Sequence, residues 1–516
     1  MNEFESYSSG LFKILSGEVP GSDFLKSLIK DVPTPRYLIK GDVSGIQNFI
    51  FTIPSKYASK ELKARSEYIK KYTSGWFEEI REKCGEIETL SAVGGNFYLF
   101  ANVPDTRVLE EIEKRICLES PEGLFLALSL IKADDPDDFE NIRNRLEMEG
   151  ALKKLRKYSN SPELFEPRIA KAPQLFHLLD NFRKDQLPSW NDVLMKAFLE
   201  SSAVKGYEAE PGEEPSAGNI ISFRHLAWFA EIRTGTAKIA VMKMDIDNLG
   251  LFFSGLGDFG NVKQASQCLE YFFSQHIFNI LGNGMKQKTV LSELPGDMTL
   301  FRNNIYIVFS GGDDCFILGA WDAVLEFAVL VRHELRKFTR EDDLDAGSSK
   351  ITMSASVQLY SPAYPVYKFA AEAEENLHEA KYSEDGKKDK IFIFGEIFTW
   401  EEFGQIIRIK DKLYELIAVR NESRAILERI RQSARDYEHD REDCLAGNEI
   451  PRTWRMNYSL GRNIKKSENR VFAEKHILPE YESNLLRAYH EKKSLHAMIF
   501  PVAARYTELL TRNIKS

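Results

Sequence analysis

NIYIVFSGGDDCFILGA, residues 304–320, is the stretch that decides the fold, because two apolar, strand-like runs flank an acidic turn. The runs cover residues 305–309 and 315–318, and their β-branched and aromatic side chains favour extended backbone. The Gly-Gly pair between them favours a tight turn. The predicted hairpin presents two adjacent carboxylates, Asp313 and Asp314. Carboxylates with open coordination positions suit Mg²⁺ or Mn²⁺ holding nucleotide phosphates.

A second acidic element lies upstream, in KIAVMKMDIDNLG, residues 238–250. There Asp245 and Asp247 close another apolar strand. An acidic Gly-Gly turn alone is often only a solvated hairpin tip. Solvated turns do not explain why two acid pairs each directly follow a buried-type strand. Together the two elements predict a metal-dependent nucleotidyl transferase or cyclase.

Length and composition indicate a multidomain globular chain. With 516 residues, we expect about three or four domains. No apolar run reaches the roughly 18 residues of a membrane span, and the N-terminus lacks the basic region of a secretory signal, so no membrane association is expected. The five cysteines are scattered without a C-x-x-C pair, which favours reduced thiols and a cytoplasmic location. The net charge is −9, and a modest basic excess after residue 400 fits either an RNA contact or a solvated helical surface.

The chain also contains a diverged internal repeat. KGDVSGIQNFIF (40–51) parallels KMDIDNLGLFF (243–253), and VGGNFYLFA (93–101) parallels SGGDDCFILGA (310–320). In both copies a strand that ends near an Asp is followed by a Gly-Gly hairpin. One supersecondary design is therefore predicted twice.

The first copy lacks most of the carboxylates of the second. This alignment pairs Asp42 with Asp245, Ser44 with Asp247, Asn96 with Asp313 and Phe97 with Asp314. We expect the first copy to bind a nucleotide through Ser44 and the backbone of Gly94 and Gly95, without metal catalysis.

The predicted fold class is α+β, with two ferredoxin-like palm domains, a helical linker and a helical C-terminal domain. The first palm begins with a strand, a turn at residues 41–45 and an apolar stretch. The predicted boundaries are a short N-terminal segment at 1–36, a degenerate first palm at 37–133, a mostly helical inter-palm domain at 134–235, the second palm at 236–400 and the helical domain at 401–516.

These motifs resemble those of a known family. GDVSGIQNFIF, KARSEY, GGNFYLF, DIDNLG and SGGDD occur in the order found in the large, cyclase-like subunit of type III CRISPR effector complexes, and the Csm-type (III-A) version is the most similar. The resemblance covers about residues 37–516. The palm also resembles GGDEF diguanylate cyclases and adenylyl cyclases.

The resemblance implies an activity and a set of partners. Target RNA bound to the assembled ribonucleoprotein would trigger polymerisation of ATP into cyclic oligoadenylates. The partners would be the other subunits of the complex, its guide RNA and the target RNA. Asp245, Asp313 and Asp314 would be catalytic and would hold Mg²⁺ or Mn²⁺ together with the Ile246 carbonyl. The nucleotide-binding residues in the second palm would be Asp247, Asn248, Gly311, Gly312 and Lys381, although an ordinary helix-end cation is an equally good interpretation of Lys381.

The sequence departs from this family in two respects. Many members begin with an HD-type nuclease domain, and only about 36 residues precede the first predicted palm, so that domain is not expected here. The His439-Asp440 pair lacks further ligands and is interpreted as part of a solvated helix. Many Csm-type members also hold a four-cysteine zinc site, and no such set occurs in the sequence. The alternatives to a cyclic oligoadenylate synthase are a catalytically silent scaffold of the same complex and a stand-alone diguanylate cyclase.

Overall fold

The computed structural model describes residues 2–18, 24, 28, 30, 33–53, 58–84, 87–93, 95–120, 123–133, 139–156, 187–200, 214–288, 296–345, 348, 350–383, 386–433, 454–491 and 495–514. Within these ranges the chain forms two sheets, with helices packed on them, and a C-terminal group of helices. This confirms the predicted α+β class. None of the helices in these ranges is long and apolar enough to cross a bilayer.

The first sheet contains four antiparallel strands in the order β2-β3-β1-β4. These strands are β1 (Arg36–Ser44), β2 (Ile87–Val93), β3 (Asn96–Asn102) and β4 (Phe125–Lys132). The helices of this part, after α1 (Glu3–Leu15), are α2 (Ile46–Phe51), α3 (Ala58–Lys83), α4 (Arg107–Glu119) and α5 (Phe139–Leu155). The hairpin predicted around Gly94-Gly95 is confirmed by the pairing of β2 with β3.

Two boundaries in this first unit differ from the prediction. Residues 41–44 continue strand β1 instead of forming a turn, because Gly41 leaves room for the ring of Phe97 on the neighbouring strand. A Cβ atom at Gly41 would lie 1.9 Å from that ring. Helix α5, predicted to lie in the inter-palm segment, packs on β4 and β1 and so belongs to the first sheet.

The second sheet contains six strands in the order β10-β9-β8-β5-β7-β6. They are β5 (Ile239–Ile246), β6 (Ile305–Gly311), β7 (Asp314–Ala320), β8 (Met353–Tyr360), β9 (Lys390–Ile393) and β10 (Glu396–Thr399). Strands β5, β7 and β8 pair antiparallel at the centre, and their side chains are largely buried. The predicted strands on either side of the acidic turn are therefore confirmed.

Helices cover this sheet on both faces. They are α6 (Asp192–Glu200), α7 (Phe223–Thr234), α8 (Leu249–Gly255), α9 (Phe259–Tyr271), α10 (Ile277–Gly282), α11 (Phe301–Asn304), α12 (Trp321–Phe338) and α13 (Val366–Lys381). Short 3₁₀ turns occupy Gly296–Thr299 and Glu341–Asp343. A π-helical turn, Phe272–His276, joins α9 to α10 and packs under strand β6.

The C-terminal part is helical throughout its described residues, as predicted. Its helices are α14 (Trp400–Tyr414), followed by a π-helical turn at Glu415–Val419, then α15 (Ala425–Ser433), α16 (Trp454–Asn463), α17 (Ser467–His476), α18 (Leu478–Glu491) and α19 (Leu495–Leu510). Their apolar side chains join the core of the second sheet in one continuous cluster. The helical domain therefore supports the sheet that carries the acidic turn.

Candidate active site

Strand register brings the two acidic elements together. Asp245, near the end of β5, lies directly opposite Asp314, the first residue of β7. The Ile246 amide donates a hydrogen bond to the Asp313 carbonyl at 3.0 Å. Asp245, Asp313 and Asp314, the three acids predicted to be catalytic, thus meet at one end of the second sheet.

Burial and mutual repulsion make these carboxylates hard to ionise. Burial raises the pKa of Asp314 to about 8, and the neighbouring Asp313 adds to the shift. Burial also raises the pKa of Asp313 to about 6, with a further contribution from Asp245. The pKa of Asp245 is raised by burial as well, although Lys381 opposes the shift. The pKa values of Asp313 and Asp314 therefore stay raised despite the nearby lysines.

Two lysines lie beside the acids. Lys381, the last residue of α13, donates a hydrogen bond to Asp245 Oδ1 and lies 3.4 Å from the Ile246 carbonyl oxygen. Lys243, two residues before Asp245 on β5, is buried and forms an ion pair with Glu374 of α13.

The acidic turn is held by contacts that sequence reasoning missed. Glu270, near the end of α9, accepts a hydrogen bond from the Gly312 amide at 2.8 Å. The Ser310 hydroxyl donates to the Phe273 carbonyl, in the adjoining π-helical turn, at 2.7 Å. Gly312 has φ +70°, a conformation that favours glycine. In the sequence, Glu270 stands out only as a single acid in the apolar run around residue 270. That pattern does not indicate which group its carboxylate contacts.

Asp247 and Asn248 have different surroundings. Asp247 is buried and accepts hydrogen bonds from the Thr352 hydroxyl (2.9 Å), the Ser354 hydroxyl (2.7 Å) and the Asp389 amide (2.9 Å). Its carboxylate therefore joins the ends of three strands. Asn248 is exposed beside the acids, in the left-handed region at φ 55°, and its side chain makes no capping bond.

The first sheet repeats this geometry with a shift of one residue from the alignment made on the sequence. Val93 pairs with Asn96 as Gly311 pairs with Asp314, and the Val43 amide donates to the Gly95 carbonyl at 3.1 Å. The corrected correspondence sets Gly95 against Asp313, Asn96 against Asp314 and Phe97 against Cys315. The sequence alignment matched the Gly-Gly pairs, whereas strand pairing decides which residues face each other. Both carboxylates are still absent from the first copy.

The nucleotide-binding residues predicted in the first copy are only partly described. Gly94 lies outside the described residues. The Ser44 hydroxyl donates to the Phe125 carbonyl at 3.3 Å, which ties β1 to β4. Ser44 does not cap the following helix, because Gly45 is the N-cap residue of α2 and no side chain caps that helix.

A cleft of about 700 Å³ separates the two copies of the motif. Gly45, Gly95 and Asn96 line it from the first copy, and Glu270, Gly311 and Asp314 line it from the second.

Two side chains of the first unit bridge to the second. With its amide oriented to satisfy both partners, Gln47 accepts a hydrogen bond from Lys243 at 2.7 Å and donates to Glu374 at 3.2 Å. Arg143 of α5 donates to the Gly250 carbonyl of α8 at 2.9 Å. Direct contacts therefore join the two copies, and one of the bridging residues, Gln47, also lines the cleft.

The donor set fits a divalent cation in its chemistry. Three neighbouring carboxylates with raised pKa values would be stabilised by added positive charge, and hard cations prefer oxygen ligands. Yet no group of three or more His, Cys, Asp or Glu within the described ranges is spaced to hold a metal ion, and Asp245 already pairs with Lys381. Binding would thus require these side chains to rearrange.

The other sequence predictions about ligands concern cysteine and histidine. Four cysteines in the described part of the chain, Cys84, Cys117, Cys268 and Cys315, are buried free thiols. His439 and Asp440 lie outside the described residues, so their interpretation as a solvated pair stays a prediction.

Comparisons with known protein families match both sheets. A model described as "Cas10/Cmr2, second palm domain" matches residues 238–392, and a model described as "Csm1 subunit domain B" matches residues 35–169. These ranges contain the second acidic copy and the degenerate first copy, respectively.

Curated relatives share the same name, "CRISPR system single-strand-specific deoxyribonuclease Cas10/Csm1 (subtype III-A)". The relative from Methanocaldococcus jannaschii is 28% identical over 462 residues, which cover 67% of this chain and 56% of the relative. The relative from Thermococcus onnurineus is 26% identical over 446 residues, covering 69% and 55%. The chain thus spans a little over half the length of the curated relatives it matches.

Solved structures share the fold. The Csm1-Csm4 cassette in complex with pppApA superposes with a TM-score of 0.66 at 20% identity, covering 92% of this chain and 69% of that chain. The cassette in complex with AMPPNP gives 0.65 at 21% identity, covering 93% and 72%. The cassette in complex with cA4 gives 0.64 at 21% identity, covering 92% and 70%.

Proposed function

Because the chain belongs to the Cas10/Csm1 family of type III CRISPR systems, we propose that it polymerises ATP into cyclic oligoadenylate second messengers. The observation that carries this proposal is the meeting of Asp245, Asp313 and Asp314 beside a cleft that Asp314 lines, opposite a second copy of the motif that lacks both turn carboxylates. One metal-competent half and one metal-free half suit a reaction that joins two nucleotides.

Structures of similar fold support the choice of substrate. They include the Csm1-Csm4 cassette bound to one ATP, to AMPPNP, to the linear pppApA, and to cA3 and cA4. We extend that substrate class to this chain. A mononucleotide, a linear dimer and a cyclic product bound to one fold are what a stepwise synthase would encounter.

The residues of this chain divide the work between the two copies. Asp313, Asp314, Asp245 and the Ile246 carbonyl would hold Mg²⁺ or Mn²⁺, which neutralises a bound triphosphate and lowers the pKa of an attacking 3′-hydroxyl. The exposed Asn248, the backbone of Gly311 and Gly312, and Lys381 would position that nucleotide. Asp247 would act indirectly, by fixing the strand ends beneath it.

The first copy would hold the second nucleotide. Gly94, Gly95 and Ser44 remain its proposed contacts, and Gly95 lines the cleft opposite Asp314. Two nucleotides held across one cleft react faster because their encounter no longer costs translational and rotational entropy.

The same family assignment suggests partners and a cellular location for the chain. We propose that the chain assembles with a Csm4-type subunit, other subunits of the complex, a guide RNA and a target RNA that activates the site. Free buried thiols suit a reducing cytoplasm.

The experiment is synthesis by the purified complex given each NTP, Mn²⁺ and target RNA, with products identified by mass. The double variant Asp313→Ala/Asp314→Ala should form no product while circular dichroism shows an intact fold. Asp342→Ala/Asp343→Ala, which removes an adjacent acid pair from an exposed 3₁₀ turn, is the matched control and should keep full activity. Undiminished synthesis by the Asp313/Asp314 variant would overturn the proposal. If the wild type forms no product under any condition, the remaining interpretation is that the chain is a catalytically silent scaffold of the complex.

A further inference from the structure

Lys381 contacts two of the oxygen atoms that would bind the proposed metal. Its ammonium group contacts Asp245 Oδ1 and lies 3.4 Å from the Ile246 carbonyl oxygen. These are two of the oxygen ligands proposed for Mg²⁺ or Mn²⁺. Asp313 and Asp314, the remaining ligands, form no ion pair within the described residues. The second copy thus holds a lysine ammonium on the strand side of the site and two carboxyl groups without an ion-pair partner on the turn side.

The first copy contains the same lysine-aspartate pair. Lys154 of α5 donates a hydrogen bond to Asp42 Oδ2 at 2.5 Å, as Lys381 of α13 does to Asp245. A second ion pair is also repeated, because Lys40 contacts Glu147 at 2.5 Å and Lys243 contacts Glu374. The spacing is identical in both copies: the strand lysine precedes the aspartate by two residues, and the helix glutamate precedes the helix lysine by seven. The helix lysine is therefore a built-in part of the repeated unit.

The two lysines differ in what surrounds them. In the first copy, Gly95 and Asn96 replace the turn acids, and Lys154 and the nearby Lys40 pair with Asp42 alone among these positions. In the second copy, the turn acids add two carboxyl groups beside Asp245. A divalent cation attracted by them would compete with Lys381 for Asp245. Lys381 also ends its helix, and a flexible four-carbon stem lets its ammonium group move while the backbone stays in place.

We propose that Lys381 is an exchangeable internal cation of the metal site. It neutralises Asp245 while metal is absent, leaves when a divalent cation takes that carboxylate, and then contacts the triphosphate of the incoming nucleotide. Lys154 is its non-exchanging counterpart and keeps the first copy free of metal. This inference rests on the proposed function and specifies how the site changes between its empty and loaded states.

The exchange makes an unusual prediction for Lys381→Met. Without the competing ammonium group, the metal-free chain should bind Mn²⁺ roughly tenfold more tightly, since a nearby opposite charge shifts carboxylate affinity for cations by about a power of ten or more. The same variant should bind the ATP analogue AMPPNP about tenfold more weakly in saturating Mn²⁺, because the phosphate contact is lost. A lysine that only supports the fold would not move these two affinities in opposite directions.

The measurement is titration of the full chain with Mn²⁺, followed by electron paramagnetic resonance, without nucleotide. The Asp313→Ala/Asp314→Ala variant defines the background from other sites. Lys381→Arg, which keeps the charge, should bind Mn²⁺ within about threefold of wild type. Lys154→Met, the matched variant in the first copy, should leave Mn²⁺ affinity at the acidic turn unchanged.

Unchanged or weaker Mn²⁺ binding by Lys381→Met, or no site-specific Mn²⁺ binding by the wild type, would overturn the inference. Opposite shifts in a protein that makes no oligoadenylate would uphold the exchange and overturn the proposed function. Synthesis of oligoadenylate without the opposite shifts in affinity would uphold the proposed function and overturn the exchange.

Discussion

Asp314→Asn should stabilise the metal-free protein, and the gain should grow with pH. Burial raises the pKa of Asp314 from its ordinary 3.8 to about 8. In the unfolded chain the carboxyl group ionises near pH 4, so between pH 4 and 8 the folded state binds more protons and the free energy of unfolding falls as pH rises. Each unit of pKa corresponds to about 1.4 kcal/mol, so the full cost of Asp314 is on the order of 5 kcal/mol above pH 8 and about a third of that at pH 5.

Thermal unfolding in EDTA at pH 5 and pH 8.5 measures this difference. For a unit the size of the second palm, the gain at pH 8.5 corresponds to an increase in melting temperature of roughly 10 °C, and the gain at pH 5 to about a third of that. Asp343→Asn, at an exposed 3₁₀ turn, is the control for the substitution itself and should change the melting temperature little at either pH. An equal gain at both pH values, or a loss at pH 8.5, would refute the reasoning that a buried charge causes the instability.

Three further predictions concern other residues. Ser44→Leu should lower oligoadenylate synthesis by at least tenfold, because a bulky side chain would block the proposed contact of Ser44 with the second nucleotide. Full activity together with a single bound AMPPNP in a crystal structure would contradict the two-palm model. Glu270→Ala should lower kcat about tenfold by releasing the Gly312 amide, whereas Glu270→Gln, which can still accept that hydrogen bond, should restore most of the rate. Equal losses in both variants would show instead that the charge of Glu270 matters. The chain should not degrade single-stranded DNA in a metal-dependent way, and cleavage that disappears in His439→Ala would prove that pair functional.

Local patterns predicted the second palm well. Apolar β-branched runs at residues 305–309 and 315–318 are buried on both faces of a central sheet, so their composition alone identifies strands. Asp245 and Asp314 both lie at strand ends. Pairing those strands is therefore enough to bring the three acids together.

Long-range contacts explain what the sequence did not reveal. The shifted correspondence of Asn96 with Asp314 depends on cross-strand pairing, which a match between two Gly-Gly pairs cannot decide. Gly41 looked like a turn residue, yet it is needed because a ring from another strand covers it. Glu270 and Lys154 lie on helices far along the chain from the groups they contact, so no local spacing identifies them. These contacts become visible only when the helices are placed on the sheets.

The repeated ion pairs also bear on how one half of a duplicated protein loses function. Removing Glu147 would take the nearest carboxylate away from the buried Lys40, which destabilises the fold. Removing an acid from a crowded turn relieves repulsion and makes the protein more stable. Once one copy no longer had to hold metal, mutation could therefore discard its turn carboxylates freely while folding preserved its lysine pairs. The residues that the first palm retains would then be those that the fold requires, and the residues that it has lost would be those that only the chemistry requires.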